Sequence, residues 1–161
     1  MRHLYLIRHG DAVAESVSPE RPLSSRGISE SGRLGRYFKQ TGVVFDEIWH
    51  SPKLRAVGTA GILAELLSSK DRLSEKKGIT PDDDPQKAVK LIESFFTPGR
   101  EGFLAVVSHL PLIPELTAAL VSAQGNGIPL YLPCAACLCL VRESYGPWMI
   151  KWLIEPAMLP E

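Results

Sequence analysis

The stretch HLYLIRHG, residues 3–10, decides the fold of this chain. Residues 3–7 are mostly apolar and indicate a buried strand that ends abruptly at Arg8-His9-Gly10. A second apolar run, residues 103–107, is continuous, as is typical of a central parallel strand, and it ends at Ser108-His109. Each of these two predicted strands is therefore followed closely by a histidine.

Strands and helices are predicted to alternate along the rest of the chain. Helical patterns cover residues 25–40, 51–68, 85–96 and 112–120, and strand patterns cover residues 45–50, 136–142 and 148–154. The last two strands are joined through Tyr145-Gly146-Pro147, and the polar stretch 68–84 has the composition of the least ordered segment. This alternation predicts one α/β domain over residues 1–161, a three-layer α/β/α sandwich with a mostly parallel central sheet.

Local signals indicate how three of the helices are placed. Ser51-Pro52 and Asp84-Pro85 each put a capping residue before a proline, which is favoured in the first helical position. The helix at residues 25–40 is expected to bury one apolar face. The members of that face are Ile28, Leu34, Tyr37 and Phe38.

Composition excludes several classes of protein. The chain has 161 residues and a formal net charge of zero, which argues against broad binding to nucleic acid or to acidic membranes. Residues 103–123 form the longest apolar stretch, and His109, Pro111 and Glu115 interrupt it, so no membrane span is predicted. Arg8-His9 likewise breaks the first apolar run too early for a signal peptide, and a cytoplasmic location is expected.

Three cysteines leave two interpretations open. Cys134 and Cys137 have the C-x-x-C spacing of some metal and redox sites, but no second Cys or His pair lies nearby to complete a zinc site. Cys137 and Cys139 also fit a buried strand, where cysteine behaves as a small apolar residue. The strand is the favoured interpretation, and neither a metal nor any other cofactor is predicted.

The predicted strand ends gather cations at one edge of the sheet. Arg8 and His9 follow the first strand, Arg55 lies just inside the helix after the second, and His109 follows the central strand. Ligands of such sheets bind outside the carboxyl ends of the strands. Arginine forks match phosphate oxygens, a helix N-terminus attracts anions, and a neutral histidine can carry a phosphoryl group. These residues predict phosphoryl transfer, with His9 as nucleophile and His109 as a hydrogen-bond donor to the phosphoryl group.

The same positions resemble the histidine phosphatase superfamily, which includes phosphoglycerate mutases and acid phosphatases, and above all its small bacterial phosphohistidine phosphatase branch, the SixA branch. The matching motifs run from residue 4 to about 120. They are Leu6-Ile7-Arg8-His9-Gly10-Asp11-Ala12, Arg21-Pro22-Leu23-Ser24 with Gly27, Ser51-Pro52 with Arg55-Ala56 and Thr59-Ala60, and Val107-Ser108-His109-Leu110-Pro111. The resemblance implies a phosphoglycerate mutase-like fold and assigns the nucleophile to the histidine of Arg-His-Gly and phosphate clamping to the two arginines and the second histidine.

Three further residues are predicted to bind substrate. The resemblance implies that Arg21 joins the rim of the pocket. Gly10 is expected to let the backbone pass close to the anion. Asp11 would orient groups near His9, or would cap a turn instead.

Other titratable residues are assigned no chemistry. His50 and His3 have no matching motif and are expected to pack in the interior or lie on the surface. The run Asp82-Asp83-Asp84 is expected to be a solvated loop with a helix cap, and a divalent-cation site is the less favoured alternative.

The predicted function is hydrolysis of phosphohistidine on a protein, such as a histidine phosphotransfer domain, or of a small phosphorylated molecule. A phosphomutase is disfavoured, because residues 60–84 leave little room for the loop that sequesters substrate in the mutases of this superfamily. A non-catalytic phosphate-sensing or adaptor module that kept the pocket is the remaining alternative.

Overall fold

The central strands of the sheet are the two that the sequence places before the histidines. The structure is a computed structural model that describes residues 1–122, 128–144 and 146–161. Its sheet has six strands in the order β3-β2-β4-β1-β5-β6. The strands are β1 (Arg2–Arg8), β2 (Glu47–His50), β3 (Leu73–Glu75), β4 (Gly102–Ser108), β5 (Cys137–Arg142) and β6 (Met149–Ile154).

The sheet is mostly parallel. β1, β2, β3 and β4 run in one direction, whereas β5 is antiparallel to both of its neighbours, β1 and β6. The carboxyl ends of the first four strands therefore share one edge. This arrangement confirms the predicted α/β class.

Among the described residues, four α-helices cover the two faces of the sheet. They are α1 (Ser25–Gln40), α2 (Leu54–Leu66), α3 (Pro85–Phe95) and α4 (Leu112–Val121). Alternate residues of β1 enter opposite cores: Leu4 and Leu6 pack with the α3 and α4 side, and Tyr5 and Ile7 pack with the α1 and α2 side. The result is the predicted three-layer sandwich.

Most predicted boundaries are confirmed, and three local predictions are wrong. The helix predicted from Ser51-Pro52 begins at Leu54, and Lys53 precedes it without a side-chain cap, because the Ser51 hydroxyl is bonded elsewhere. The stretch predicted to be least ordered contains β3, since Leu73–Glu75 can pair with β2 at the sheet edge. Ile28 is 53% exposed, whereas Leu34 and Phe38 of the same helix are fully buried.

The start of α3, the turn before β6 and the apolar character of the helices were also predicted from the sequence. The Asp84 side chain accepts a hydrogen bond from the Gln86 amide at 2.8 Å, and Pro85 opens α3, as predicted. Tyr145, in the turn predicted between the last two strands, lies outside the described residues. Within the described part of the chain, no helix combines the length and the apolar character that crossing a membrane requires.

Candidate active site

The register of β1, β2 and β4 places His9 next to His109. Arg8 is paired with Ser108 across β1 and β4, so the residue after each strand is a histidine at the same level. The His9 amide donates to the Ser108 carbonyl at 3.0 Å, which continues the sheet pattern by one residue. The two imidazole rings lie 4.9 Å apart between centroids, tilted by 50°. The sheet thus delivers two histidines to one point at its carboxyl edge.

The hydrogen bonds of His9 define which ring nitrogen is available. Arg55 Nε lies 3.3 Å from His9 Nε2, and because a guanidinium only donates, Nε2 must hold the lone pair. His9 Nδ1 is 2.7 Å from the Gly10 carbonyl oxygen, to which it donates its hydrogen. His9 is therefore held as the neutral Nδ1–H tautomer, with a nucleophilic Nε2.

Burial among cations keeps both histidines neutral. Burial is the main cause that lowers the pKa of His9 from 6.5 to about 4; the Gly10 carbonyl opposes it, and the charges of Arg55, Arg8 and Arg21 reinforce it. Burial also lowers the pKa of His109 to about 3, with further contributions from His9, Arg55 and other cations. A neutral imidazole at physiological pH is the form that can attack phosphorus.

The three arginines reach this point from different elements. Arg55, the second residue of α2, contacts His9 directly, and burial and the charge of Arg21 lower its pKa. Arg8 donates from Nη1 to the Leu132 carbonyl at 2.9 Å, which leaves its buried Nε without a partner among the described residues. Arg21 has a positive φ of 50°, a strained conformation for a residue other than glycine, and donates to the Val13 carbonyl at 3.2 Å.

Asp11 lies next to this cluster but is engaged by other groups. One carboxylate oxygen accepts from the Ser24 hydroxyl at 2.5 Å, and the other pairs with Arg26 at 2.7 Å. Ser24 hydrogen-bonds lower the pKa of Asp11 most, and Arg26 adds to the shift. Ser24 is also the N-cap of α1. These contacts leave Asp11 as an ionised acceptor, and its predicted part in orienting groups near His9 stays a prediction.

Gly10 is required by the packing of α1. A Cβ atom there would lie 2.7 Å from Ser31 Oγ and 2.8 Å from the Gly27 carbonyl oxygen. Its amide donates to Thr59 Oγ1 at 2.8 Å, which fixes the chain just after His9. The contacts thus give a packing reason for glycine here, and the predicted close approach of the backbone to an anion stays a prediction.

Sequence reasoning missed three groups that position the predicted residues. Ser51 Oγ lies 2.5 Å from His109 Nε2, Thr59 anchors Gly10, and the Leu132 carbonyl holds Arg8. Ser51 and Thr59 belong to the motifs that signalled the site, so the signal was present but their roles depend on contacts across the fold. Leu132 lies in a region that resembled the superfamily only in general pattern, and its carbonyl has no side-chain signature.

The remaining predicted residues take structural positions. His50 is buried, with Nδ1 2.9 Å from the Ser51 carbonyl oxygen, and His3 stacks on Phe103 at 4.4 Å. Cys137 and Cys139 are free, buried thiols of β5, as the strand interpretation predicts. Among the described residues, no group of three or more His, Cys, Asp or Glu side chains is placed to hold a metal ion.

Comparison with known proteins agrees with this geometry. A family model described as the histidine phosphatase superfamily (branch 1) matches residues 4–80. Phosphohistidine phosphatase SixA of Escherichia coli (strain K12) is 28% identical over 157 residues, which span 97% of this chain and 95% of SixA. The chain is therefore similar to members of the histidine phosphatase superfamily, to SixA over nearly its whole length and to the family model over residues 4–80.

A solved structure and a mouse protein bear on the activity of this chain. A structure of the protein histidine phosphatase SixA complexed with tungstate superposes with a TM-score of 0.86 at 25% identity, covering 97% of this chain and 98% of that one. The mitochondrial serine/threonine-protein phosphatase PGAM5 of Mus musculus is 32% identical over 88 residues, 52% of this chain and 31% of PGAM5. Its relatives place the chain among phosphatases, and they differ in the substrates that their names state.

Proposed function

We propose that this phosphatase hydrolyses phosphohistidine on a protein, with His9 as the residue that is phosphorylated during turnover. The observation that carries the proposal is the protonation and orientation of His9. Its ring is neutral, Nδ1 is bonded to the Gly10 carbonyl, and Nε2 lies beside Arg55. Similarity to SixA supports the phosphohistidine substrate. A cytoplasmic location stays a prediction.

The proposed reaction has two steps at the same nitrogen. First, the lone pair of His9 Nε2 attacks the phosphorus of the substrate, the P–N bond to the substrate imidazole breaks, and that imidazole leaves with a proton. Water then attacks the phosphoryl group on His9, the second P–N bond breaks, and inorganic phosphate leaves while His9 recovers its lone pair. Arg8, Arg21 and Arg55 would neutralise the phosphoryl oxygens in both steps.

The charge states of Asp11 and Asp83, two carboxylates weighed as proton donors, favour a P–N bond as the target. Alkyl esters need an acid that protonates the departing oxygen, and Asp11 is an ionised acceptor whose pKa is lowered. Asp83 is similarly bonded to the Thr80 amide and hydroxyl at 2.6 Å, which lowers its pKa. A phosphoimidazole can be protonated from solvent, near a pKa of about 6.5, and then leaves neutral. Without an effective proton donor in the site, phosphohistidine can therefore still be hydrolysed, whereas hydrolysis of alkyl phosphates should be slow.

A leaving-group series tests the substrate class. A phosphohistidine peptide should turn over faster than a matched phosphoserine peptide, and rates for aryl and alkyl phosphates should fall steeply as the leaving-group pKa rises. A preference for the phosphoserine peptide would refute the proposal and favour a serine/threonine phosphatase, the activity that the name of PGAM5 states. A flat series that becomes steep in Asp11→Asn would identify Asp11 as a proton donor.

Rapid quenching tests the role of His9. Acid-labile, base-stable phosphate should appear on His9 during turnover and should disappear as substrate is consumed. The variant His9→Ala should form no such adduct and should lose turnover. Near-normal turnover by His9→Ala would exclude this mechanism while leaving the substrate class open.

A further inference from the structure

Ser51 is the buried group that contacts the second histidine. It follows β2, its side chain is fully buried, and its amide donates to the Val107 carbonyl at 3.3 Å. The hydroxyl oxygen lies 2.5 Å from His109 Nε2. This short contact between two buried groups fixes the orientation of the His109 ring.

The direction of this hydrogen bond follows from counting donors and acceptors. The Lys53 amide points at Ser51 Oγ at 3.4 Å and uses one of its lone pairs. Among the described residues, His109 Nε2 is the acceptor that the single hydroxyl hydrogen of Ser51 reaches. If His109 donated instead, two groups would be buried without partners, the hydroxyl hydrogen of Ser51 and the lone pair of His109 Nδ1, whereas only the Nδ1–H lacks one when Ser51 donates. Ser51 therefore donates, and Nε2 of His109 holds a lone pair.

The other nitrogen of His109 must then carry the hydrogen. His109 is 1% exposed, and its buried Nδ1 has no hydrogen-bond partner among the described residues. The ring lies against that of His9, whose Nε2 is the proposed site of phosphorylation. In the free protein this N–H is therefore a buried donor without a partner among the described residues, on a ring that packs against His9.

We infer that Ser51 is a positioning residue that holds neutral His109 in the Nδ1–H tautomer, so that this N–H can donate to an oxygen of the phosphoryl group on His9. The inference rests on the proposed role of His9. The two histidines then have the same tautomer but use different ring nitrogens. His9 uses the lone pair on Nε2, and His109 uses the hydrogen on Nδ1. With the other tautomer, His109 would turn a lone pair toward phosphoryl oxygens, and the donor would be lost.

The tautomer can be observed in the free protein without any substrate. In the full chain labelled with 15N-histidine, long-range 1H–15N correlation spectra near pH 7 should show a protonated Nδ1 and an unprotonated Nε2 for His109, assigned by comparison with His109→Ala. In Ser51→Ala the signals should shift toward the Nε2–H form. A wild-type spectrum with Nε2–H would overturn the inference, whatever the substrate of the enzyme proves to be.

Kinetics test whether the tautomer matters for turnover. With p-nitrophenyl phosphate, Ser51→Ala should lower kcat about 10- to 100-fold, somewhat less than the loss of a whole preorganised donor. Thr117→Val is a matched control, because Thr117 is a buried hydroxyl that donates to the Ile113 carbonyl within α4; its kcat should stay within about twofold.

A double-mutant cycle separates positioning from a general loss of structure. In a His109→Ala background, Ser51→Ala should change kcat by less than about twofold, because residues that act through one another are not additive. An equal fall in both backgrounds would mean that Ser51 acts independently of His109 and would overturn the inference. If phosphohistidine proves not to be the substrate, the cycle with p-nitrophenyl phosphate still decides the role of Ser51.

Discussion

The two neutral histidines should make the stability of this protein depend on pH in a predictable direction. His9 and His109 titrate with pKa values of about 4 and about 3 in the folded chain, against 6.5 for an ordinary histidine. The unfolded chain therefore binds more protons than the folded chain between these values. Their contribution to stability is fully present above pH 6.5 and is lost as the pH falls below it.

The size of the effect follows from these pKa values. At pH 5 an unfolded histidine is almost fully protonated, whereas His9 and His109 in the folded protein remain almost fully neutral. By linkage, the free energy of unfolding falls by about 2 kcal/mol per histidine between pH 7 and pH 5, or by about 4 kcal/mol for the pair. That is a large share of the roughly 5–15 kcal/mol that stabilises an ordinary domain.

Urea melts at several pH values measure this slope. Between pH 7 and pH 5, the free energy of unfolding of the wild type should fall by about 4 kcal/mol more than that of the double variant His9→Asn, His109→Asn. The other histidines are present in both proteins, so their contributions cancel. The carboxyl groups with lowered pKa values, such as Asp11, are likewise present in both proteins, so their contributions also cancel. Saturating inorganic phosphate should flatten the wild-type profile, because an anion in the pocket favours the protonated histidines.

Parallel profiles for the two proteins would refute the reasoning. They would mean that His9 and His109 bind protons as readily in the folded chain as in the unfolded one. The neutral state of His9, on which the proposed nucleophilic attack depends, would then lose its physical basis.

Three other changes have expected outcomes. Arg55→Lys and Arg8→Lys should each lose about 2–4 kcal/mol of transition-state stabilisation in kcat/KM, because a point charge does not reproduce a bidentate fork; near wild-type kinetics would place these arginines away from the phosphoryl group. Chelators and thiol alkylation should leave turnover largely intact, and recovery of lost turnover on adding zinc would revive the metal interpretation of the cysteines. Gly27→Ala should lower unfolding stability by about 1–3 kcal/mol, since its Cβ would meet the Asp11 carbonyl oxygen, whereas Gly61→Ala, with open space around it, should be neutral or stabilising in thermal melts.

Patterns within single elements were the part of the fold that could be predicted. Periodicity located α1, α3 and α4, because each buries a face long enough to show its period, and continuous apolar runs located the two central strands. β3 was missed because three residues at a sheet edge carry no period, and its existence depends on pairing with β2. The start of α2 was placed too early because the hydroxyl of Ser51, a good cap by composition, is hydrogen-bonded to His109 instead.

In the candidate site, too, some features could be predicted from the sequence and others could not. The positions of His9, His109 and the arginines were predictable because parallel strands bring their carboxyl ends to one edge, so residues distant in sequence could be placed together before any contact was known. The directions of the hydrogen bonds could not be predicted, because they depend on which backbone carbonyl or hydroxyl faces each ring. Arg8 illustrates the difference: its position at the edge was predicted, and its bond to the Leu132 carbonyl was not.

The contacts at the sheet edge also explain why the motif residues occur together. Gly10 must be small because α1 packs against it, Thr59 holds its amide, and Ser51 holds His109. None of these three side chains needs to touch phosphate, yet each fixes the backbone or ring beside a residue that would. Because neutral imidazoles have one donating and one accepting nitrogen, a histidine pair can serve as nucleophile and donor only when both tautomers are fixed. The chemistry of this site therefore depends as much on the groups that orient His9 and His109 as on the two histidines themselves.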